Sequence, residues 1–118
     1  MMWHSIINMR RSASGEISAN VKTGPDSPWF SGHFPGDPIL PGIAQLAIVF
    51  EAIEKSVNRK LTVSGVSRVK FKQIIRPDDH LKLVVTHMEK DVGSYSFRLM
   101  AGEELACKGI MTVDTIKQ

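Results

Sequence analysis

The chain has 118 residues and weighs 13.1 kDa, with 42% hydrophobic residues, 23% charged residues and a formal net charge of +3. That length fits one domain over residues 1–118. The mild positive balance favours acidic partners, yet no Lys/Arg run or zinc-finger spacing points to nucleic acid. One cysteine, Cys107, excludes an internal disulfide and a cysteine metal site.

The N-terminus, MMWHSIINMRRS, lacks the basic-then-apolar order of a secretory leader. No apolar run approaches the ~20 residues of a membrane span. These features predict a cytoplasmic protein with no membrane contact.

Residues 4–12 and 16–23 flank the turn signal SASG and predict two antiparallel strands. A Pro/Gly segment from Gly24 to Gly42 follows, too punctuated for helix or strand. After Pro41-Gly42, Ile43, Leu46, Ala47, Phe50, Ile53 and Val57 recur at helical spacing. Ala44, Ile48 and Ala52 make the opposite side apolar as well. The spacing predicts a buried helix over residues 42–57, entered at Pro41 and left at Asn58-Arg59-Lys60.

From Leu61 onward the period is two. Val69 and Phe71 alternate with Arg68, Lys70 and Lys72. Leu81, Leu83 and Val85 mark a second strand, with His80 and His87 on it, seven apart and hence on opposite faces. Tyr95, Phe97 and Leu99 mark a third; Leu105, Cys107, Met111 and Val113 mark the last. Turns fall at Arg76-Pro77-Asp78-Asp79 and Asp91-Val92-Gly93-Ser94. The order predicts an α+β fold: an antiparallel sheet wrapped around one long central helix. Its edge strands are expected to pair or be covered in a dimer.

The stretch GHFPGDPILPG at residues 32–42, followed by that helix, resembles the β-hydroxyacyl-acyl-carrier-protein dehydratases of the hotdog fold. VSRVKFKQIIRPDDHLKL resembles that family's next two strands and their turn, and GEELACKGIMTV its last strand pair. The likeness runs from about Gly15 to Val113. It implies removal of water from a 3-hydroxyacyl thioester to give a trans-2-enoyl product. The acyl group would ride on acyl carrier protein or coenzyme A, in fatty-acid, polyketide or polyene synthesis. No metal and no redox cofactor is implied, and the assembly implied is a homodimer or a higher oligomer.

The resemblance places the family's catalytic histidine at His33. Dehydration needs a base at C2, and a neutral imidazole serves at working pH. Phe34, next to it, belongs to the rigid frame that holds the ring and meets the substrate. Gly42 opens the helix, where unpaired N–H groups meet a thioester carbonyl as charge develops. Gln45, in the first turns, is a candidate for binding substrate or water. Asp37, before Pro38, reads as a loop carboxylate bonded to backbone.

The family's helix acid stands fourteen positions after the histidine, and here that position is Ala47. Glu51 lies one turn further on and is the candidate replacement. Its plainer role is an ion pair with Lys55, four residues later. Arg68, Lys70, Lys72 and Arg76 form the candidate docking patch for an acidic carrier; otherwise they are a solvated strand face. His4, near the terminus, carries no assigned role. Two alternatives follow from Ala47 and from the fold: a non-catalytic acyl-binding subunit that needs a partner chain, and a thioesterase using Glu51 or Asp37.

Overall fold

The computed structural model describes residues 4–24, 27–30 and 39–116. Six strands and one long helix follow in the order β1 (Ser5–Arg11), β2 (Ile17–Lys22), α1 (Gly42–Val57), β3 (Leu61–Phe71), β4 (Leu81–His87), β5 (Ser94–Ala101) and β6 (Glu104–Thr115). A short 3-10 turn, Pro28–Phe30, precedes the motif segment. His80 falls just outside β4, in the turn before it.

The strands form one antiparallel sheet in the order β1-β2-β4-β5-β6-β3. Helix α1 carries the chain from β2, beside one edge, to β3 at the opposite edge. A long sheet that must cover a helix curls around it, and alternation decides which side faces in. Ile17, Ala19 and Val21 of β2 are buried, as are Leu81, Leu83 and Val85 of β4. With Phe97, Leu99, Cys107, Met111 and Val113, all of these but Ala19 join the buried residues of α1 in one core. Each fully buried Leu, Val or Phe contributes roughly 1.5–3 kcal/mol relative to exposure.

Helix α1 starts and stops where the local chemistry requires. Pro41 is the N-cap in extended geometry (φ −67°, ψ 156°), and Asn58 closes the helix in the left-handed region (φ 53°, ψ 44°). Asn tolerates that region better than other residues bearing a Cβ. The Leu61 N–H donates to Glu54 Oε2 at 2.9 Å and ties the helix end to β3.

One expectation is corrected. The helix is not buried all round. Ala44, Gln45, Ile48, Val49, Ala52 and Ile53 face the sheet and are buried. The other stripe stays open: Ile43 is 72% exposed, and Leu46, Ala47, Phe50 and Val57 are half-buried. The sheet curls around one side of the helix only. Edge strand β3 is open too, with Val63, Val66 and Phe71 exposed.

Candidate active site

Gly42 is the first residue of α1. The helical ladder begins beyond it, with the Ala44 and Gln45 N–H groups donating to Pro41 O at 3.1 and 3.2 Å. The Gly42 and Ile43 N–H groups therefore have no acceptor within the helix, at the positive end of its dipole. A Cβ placed on Gly42 would stand 2.7 Å from Phe71 Cζ. The half-open ring of Phe71, from edge strand β3, thus roofs the helix entrance.

Gln45 is buried, at 4% exposure. Its amide Nε2 donates to Leu40 O at 3.3 Å, which fixes the amide's orientation. Its Oε1 is buried without a hydrogen-bond partner. Buried acceptors are nearly always satisfied, so this oxygen is a place where a donor is expected.

Glu51 lies nine residues into the helix, about 6 Å along the axis from Ala47 (four residues at ~1.5 Å each). It does not pair with Lys55. Its Oε2 meets His4 Nε2 at 2.9 Å, across 47 residues of sequence. The other ring nitrogen of His4, Nδ1, accepts the Trp29 indole N–H at 3.1 Å. The two rings lie nearly parallel, 19° between planes. An indole N–H can only donate, so Nδ1 carries a lone pair and the ring proton sits on Nε2. Trp29, His4 and Glu51 form a directed chain of donors ending on the carboxylate. The His4 side chain is 10% exposed and that of Glu51 40%. Sequence reasoning missed His4 and Trp29; the only signal was a histidine at the first position of a predicted strand. His33, Phe34 and Asp37 lie outside the described residues.

Residues 9–110 match the ApeI-like family, described as ApeI dehydratase. The chain belongs to the ApeI-like dehydratase family. It is 32% identical over 96 residues to the 3-hydroxyacyl-[acyl-carrier-protein] dehydratase FabZ of Alkaliphilus metalliredigens, covering 74% of this chain and 65% of that one. It is 31% identical over 101 residues to FabZ of Chloroflexus aggregans, covering 78% and 66%. The matched part thus spans just under two thirds of these relatives. Among solved structures, the dehydratase heterocomplex ApeI:P from Xenorhabdus doucetiae superposes with a TM-score of 0.83 at 28% identity, over 95% of this chain and 98% of that one. The hotdog fold expected from the motif is the fold observed.

The basic residues divide within this member of the ApeI-like family. Lys70 on β3 stands opposite Lys108 on β6, and Lys108 stands opposite Arg98 on β5. Arg68 has a positive φ of 55° at a break in the β3–β6 register, between Ser67 and Lys70. It lines one groove of about 280 Å³ together with Arg98 and Lys108. Lys72 follows the end of β3, its N–H bonded to Ala106 O at 2.7 Å. Arg76 lies in the turn before β4, its N–H bonded to Asp79 Oδ2 at 2.8 Å. The structure therefore joins Arg68 and Lys70 to Arg98 and Lys108, two cations the sequence pattern did not select. It leaves Arg76 off that row.

Cys107 is buried and free, and burial pushes its thiol up to about 11. Among the described residues no cluster of three or more His, Cys, Asp or Glu is built to hold a metal. No described helix is long and apolar enough to cross a membrane.

Proposed function

We propose that this chain removes water from a 3-hydroxyacyl thioester, giving the trans-2-enoyl thioester, with the acyl group delivered on acyl carrier protein or coenzyme A. The observation that carries the reading is the dehydratase family match over residues 9–110, which includes the GHFPGDPILPG segment. In this reading His33 is the base that takes the C2 proton, in the frame provided by Phe34. The Gly42 N–H binds the thioester carbonyl as it gains negative charge. The unpartnered Gln45 Oε1 accepts a hydrogen bond from substrate or from an ordered water. Glu51 is the candidate acid, in place of the one absent at Ala47.

The row Arg68, Lys70, Arg98 and Lys108, with Lys72 beside it, is the docking face for an acidic carrier. Like charges opposite one another across strands are unfavourable, and an acidic partner relieves them. Arg76 serves as an outlying contact. The working unit is a homodimer. Two open apolar surfaces support this: edge strand β3 and the helix stripe bearing Ile43, which meet where Phe71 lies over Gly42. We place the protein in the cytoplasm, in keeping with its single free cysteine.

A second reading, with a partner chain completing the site, has its own support. Ala47 has no proton to give, and the similar ApeI structure is a heterocomplex. The test is incubation of the pure chain with 3-hydroxyacyl thioesters on acyl carrier protein, followed by mass spectrometry. Loss of one water supports the dehydratase. Turnover that appears only on adding a second hotdog chain supports the partnered form. Release of free acid and thiol would replace both with a thioesterase.

A further inference from the structure

We propose that the groove lined by Arg68, Arg98 and Lys108, on the face of the sheet turned away from α1, holds one phosphate group: the phosphodiester that joins a pantetheine arm to an acidic acyl carrier. This assignment rests on the carrier-docking reading above and narrows it from a charged face to a single built subsite.

Register and backbone bring the three cations together. Arg98 stands between the buried Phe97 and Leu99, and Lys108 follows the buried Cys107, so both side chains leave the sheet on its outer side. Arg68 reaches them through a bulge. Ser67 pairs with Ile110 and Lys70 with Lys108, so β3 sets Arg68 and Val69 against the single residue Gly109. Strict alternation from Ser67 would turn Arg68 toward the core. Instead Val69 packs against the core, while Arg68 lines the outer groove with Arg98 and Lys108. Arg68 holds a left-handed backbone (φ 55°), an unfavourable conformation for a residue bearing a Cβ. Bulges of this kind re-aim a side chain.

The groove is short of negative charge. Among the described residues none of its three cations pairs with a carboxylate. Glu16 comes only to the rim, accepting from the Thr86 hydroxyl at 3.5 Å. The Ser96 hydroxyl, also on the lining, has no hydrogen-bond partner among the described residues. Two guanidiniums, an ammonium and a free hydroxyl are donors suited to phosphate oxygens. Volume decides how much of a ligand enters. The groove measures about 280 Å³, just below the roughly 300–1,000 Å³ of sites that enclose a whole small molecule. A phosphate and the first carbons of its arm fit; a nucleotide does not, which favours a carrier over coenzyme A. Val84 and Ile110 also line the groove, an apolar surface for the dimethyl carbon near the phosphate end of a pantetheine arm. Lys108 faces Lys70 on edge strand β3, and the next residue, Phe71, lies over Gly42. The phosphate is thus held one strand, about 4.8 Å, from the edge beside the helix entrance. Lys70 and Lys72 stay outside the groove, free to meet the carrier's acidic surface.

The test uses the full chain and needs no turnover. In ¹⁵N–¹H spectra at low salt, 4′-phosphopantetheine is expected to shift the backbone amides of Ser96, Arg98, Lys108 and Ile110, and pantetheine, which lacks only the phosphate, to leave them in place. Arg68→Gln and Arg98→Gln are each expected to weaken that binding about 5–20-fold. Lys60→Gln removes the same charge just before β3, at its far end, and is expected to keep the parent's affinity within about twofold. Unmoved groove amides, or equal losses in Arg68→Gln and Lys60→Gln, overturn the subsite. Inorganic phosphate binding as tightly as phosphopantetheine makes the groove a free-anion site and overturns its assignment to the arm. Coenzyme A binding more than about fivefold tighter than phosphopantetheine shows that the nucleotide is held as well, and overturns the carrier as the source. A chain that binds phosphopantetheine in the groove yet removes no water from hydroxyacyl carrier overturns the dehydratase reading and upholds the subsite. A chain that turns over with its groove amides unmoved does the reverse.

Discussion

Replacing Lys108 by Gln separates stability from docking. Lys108 on β6 is the middle of a cation row, opposite Arg98 on β5 and Lys70 on β3. Two unit charges about 6 Å apart in water repel by about 0.7 kcal/mol, and like charges opposite each other in a sheet cost about 0.2–1 kcal/mol. Removing the middle charge ends two such contacts, a gain of about 0.4–2 kcal/mol at low salt. For a domain of this size that is a rise in Tm of about 2–8 °C. In 1 M salt the Debye length falls to about 3 Å, so the gain should vanish there. The same change should weaken carrier capture. At low salt, KM for a hydroxyacyl group on acyl carrier protein should rise about 3–10-fold, while KM for the uncharged N-acetylcysteamine thioester stays put. Thermal denaturation at 25 mM and 1 M salt, beside paired kinetics, reads both effects. A variant no more stable than the parent at low salt would refute the repulsion argument. Equal KM changes on both substrates would refute docking at this face.

Two further predictions concern the sheet. Gly109→Ala adds a Cβ at 2.9 Å from both Phe97 Cζ and Val69 Cγ2 and 3.1 Å from Val69 Cα. A backbone atom cannot swing away, so overpacking of about 1–3 kcal/mol should lower Tm by about 4–12 °C, and a drop under 2 °C would contradict the packing. Burial raises the Cys107 thiol to about 11; the folded state binds that proton more tightly, so the thiol's contribution to stability is full below about 9 and is lost as pH rises through about 11. Cys107→Ala should flatten the alkaline limb of a stability profile measured by urea denaturation, and iodoacetamide at pH 8 should label the parent only as it unfolds.

Much of this fold was legible because its signals are local. Pro41 and Asn58 punctuate the helix at both ends, and the apolar spacing between them is unbroken. Asp91-Val92-Gly93-Ser94 marks the turn that joins β4 to β5, whereas the tight turn at Gly102-Glu103 between β5 and β6 was not singled out. The charge row was not legible, for a definite reason. Counting back from the two-residue turn would place Arg98 opposite Cys107. A register shift between Leu99 and Met100 places it opposite Lys108 instead. A second shift, between Ser67 and Lys70, sets Lys70 opposite that same Lys108. Bulges add a residue without altering the apparent period enough to be read. The His4–Glu51 contact was hidden differently: it joins the residue just before β1 to the central helix, and nothing in either segment alone names the other.

The open stripe of α1 links these observations. Ile43, Ala47 and Glu51 are spaced by four and lie along one side of the helix. The neighbouring side, with Ala44, Ile48 and Ala52, is sealed against the sheet. An acid at position 47 would therefore have faced away from its own sheet, toward whatever covers the stripe. Alanine there removes a polar group from a surface that is otherwise Ile43, Leu46 and Phe50, and makes it easier to bury against a second apolar stripe. A carboxylate at Glu51 stays compatible with that burial because His4, held by Trp29, satisfies one of its oxygens from within the chain. With alanine at position 47, the stripe leading to the helix entrance, where Phe71 lies over Gly42, is left apolar.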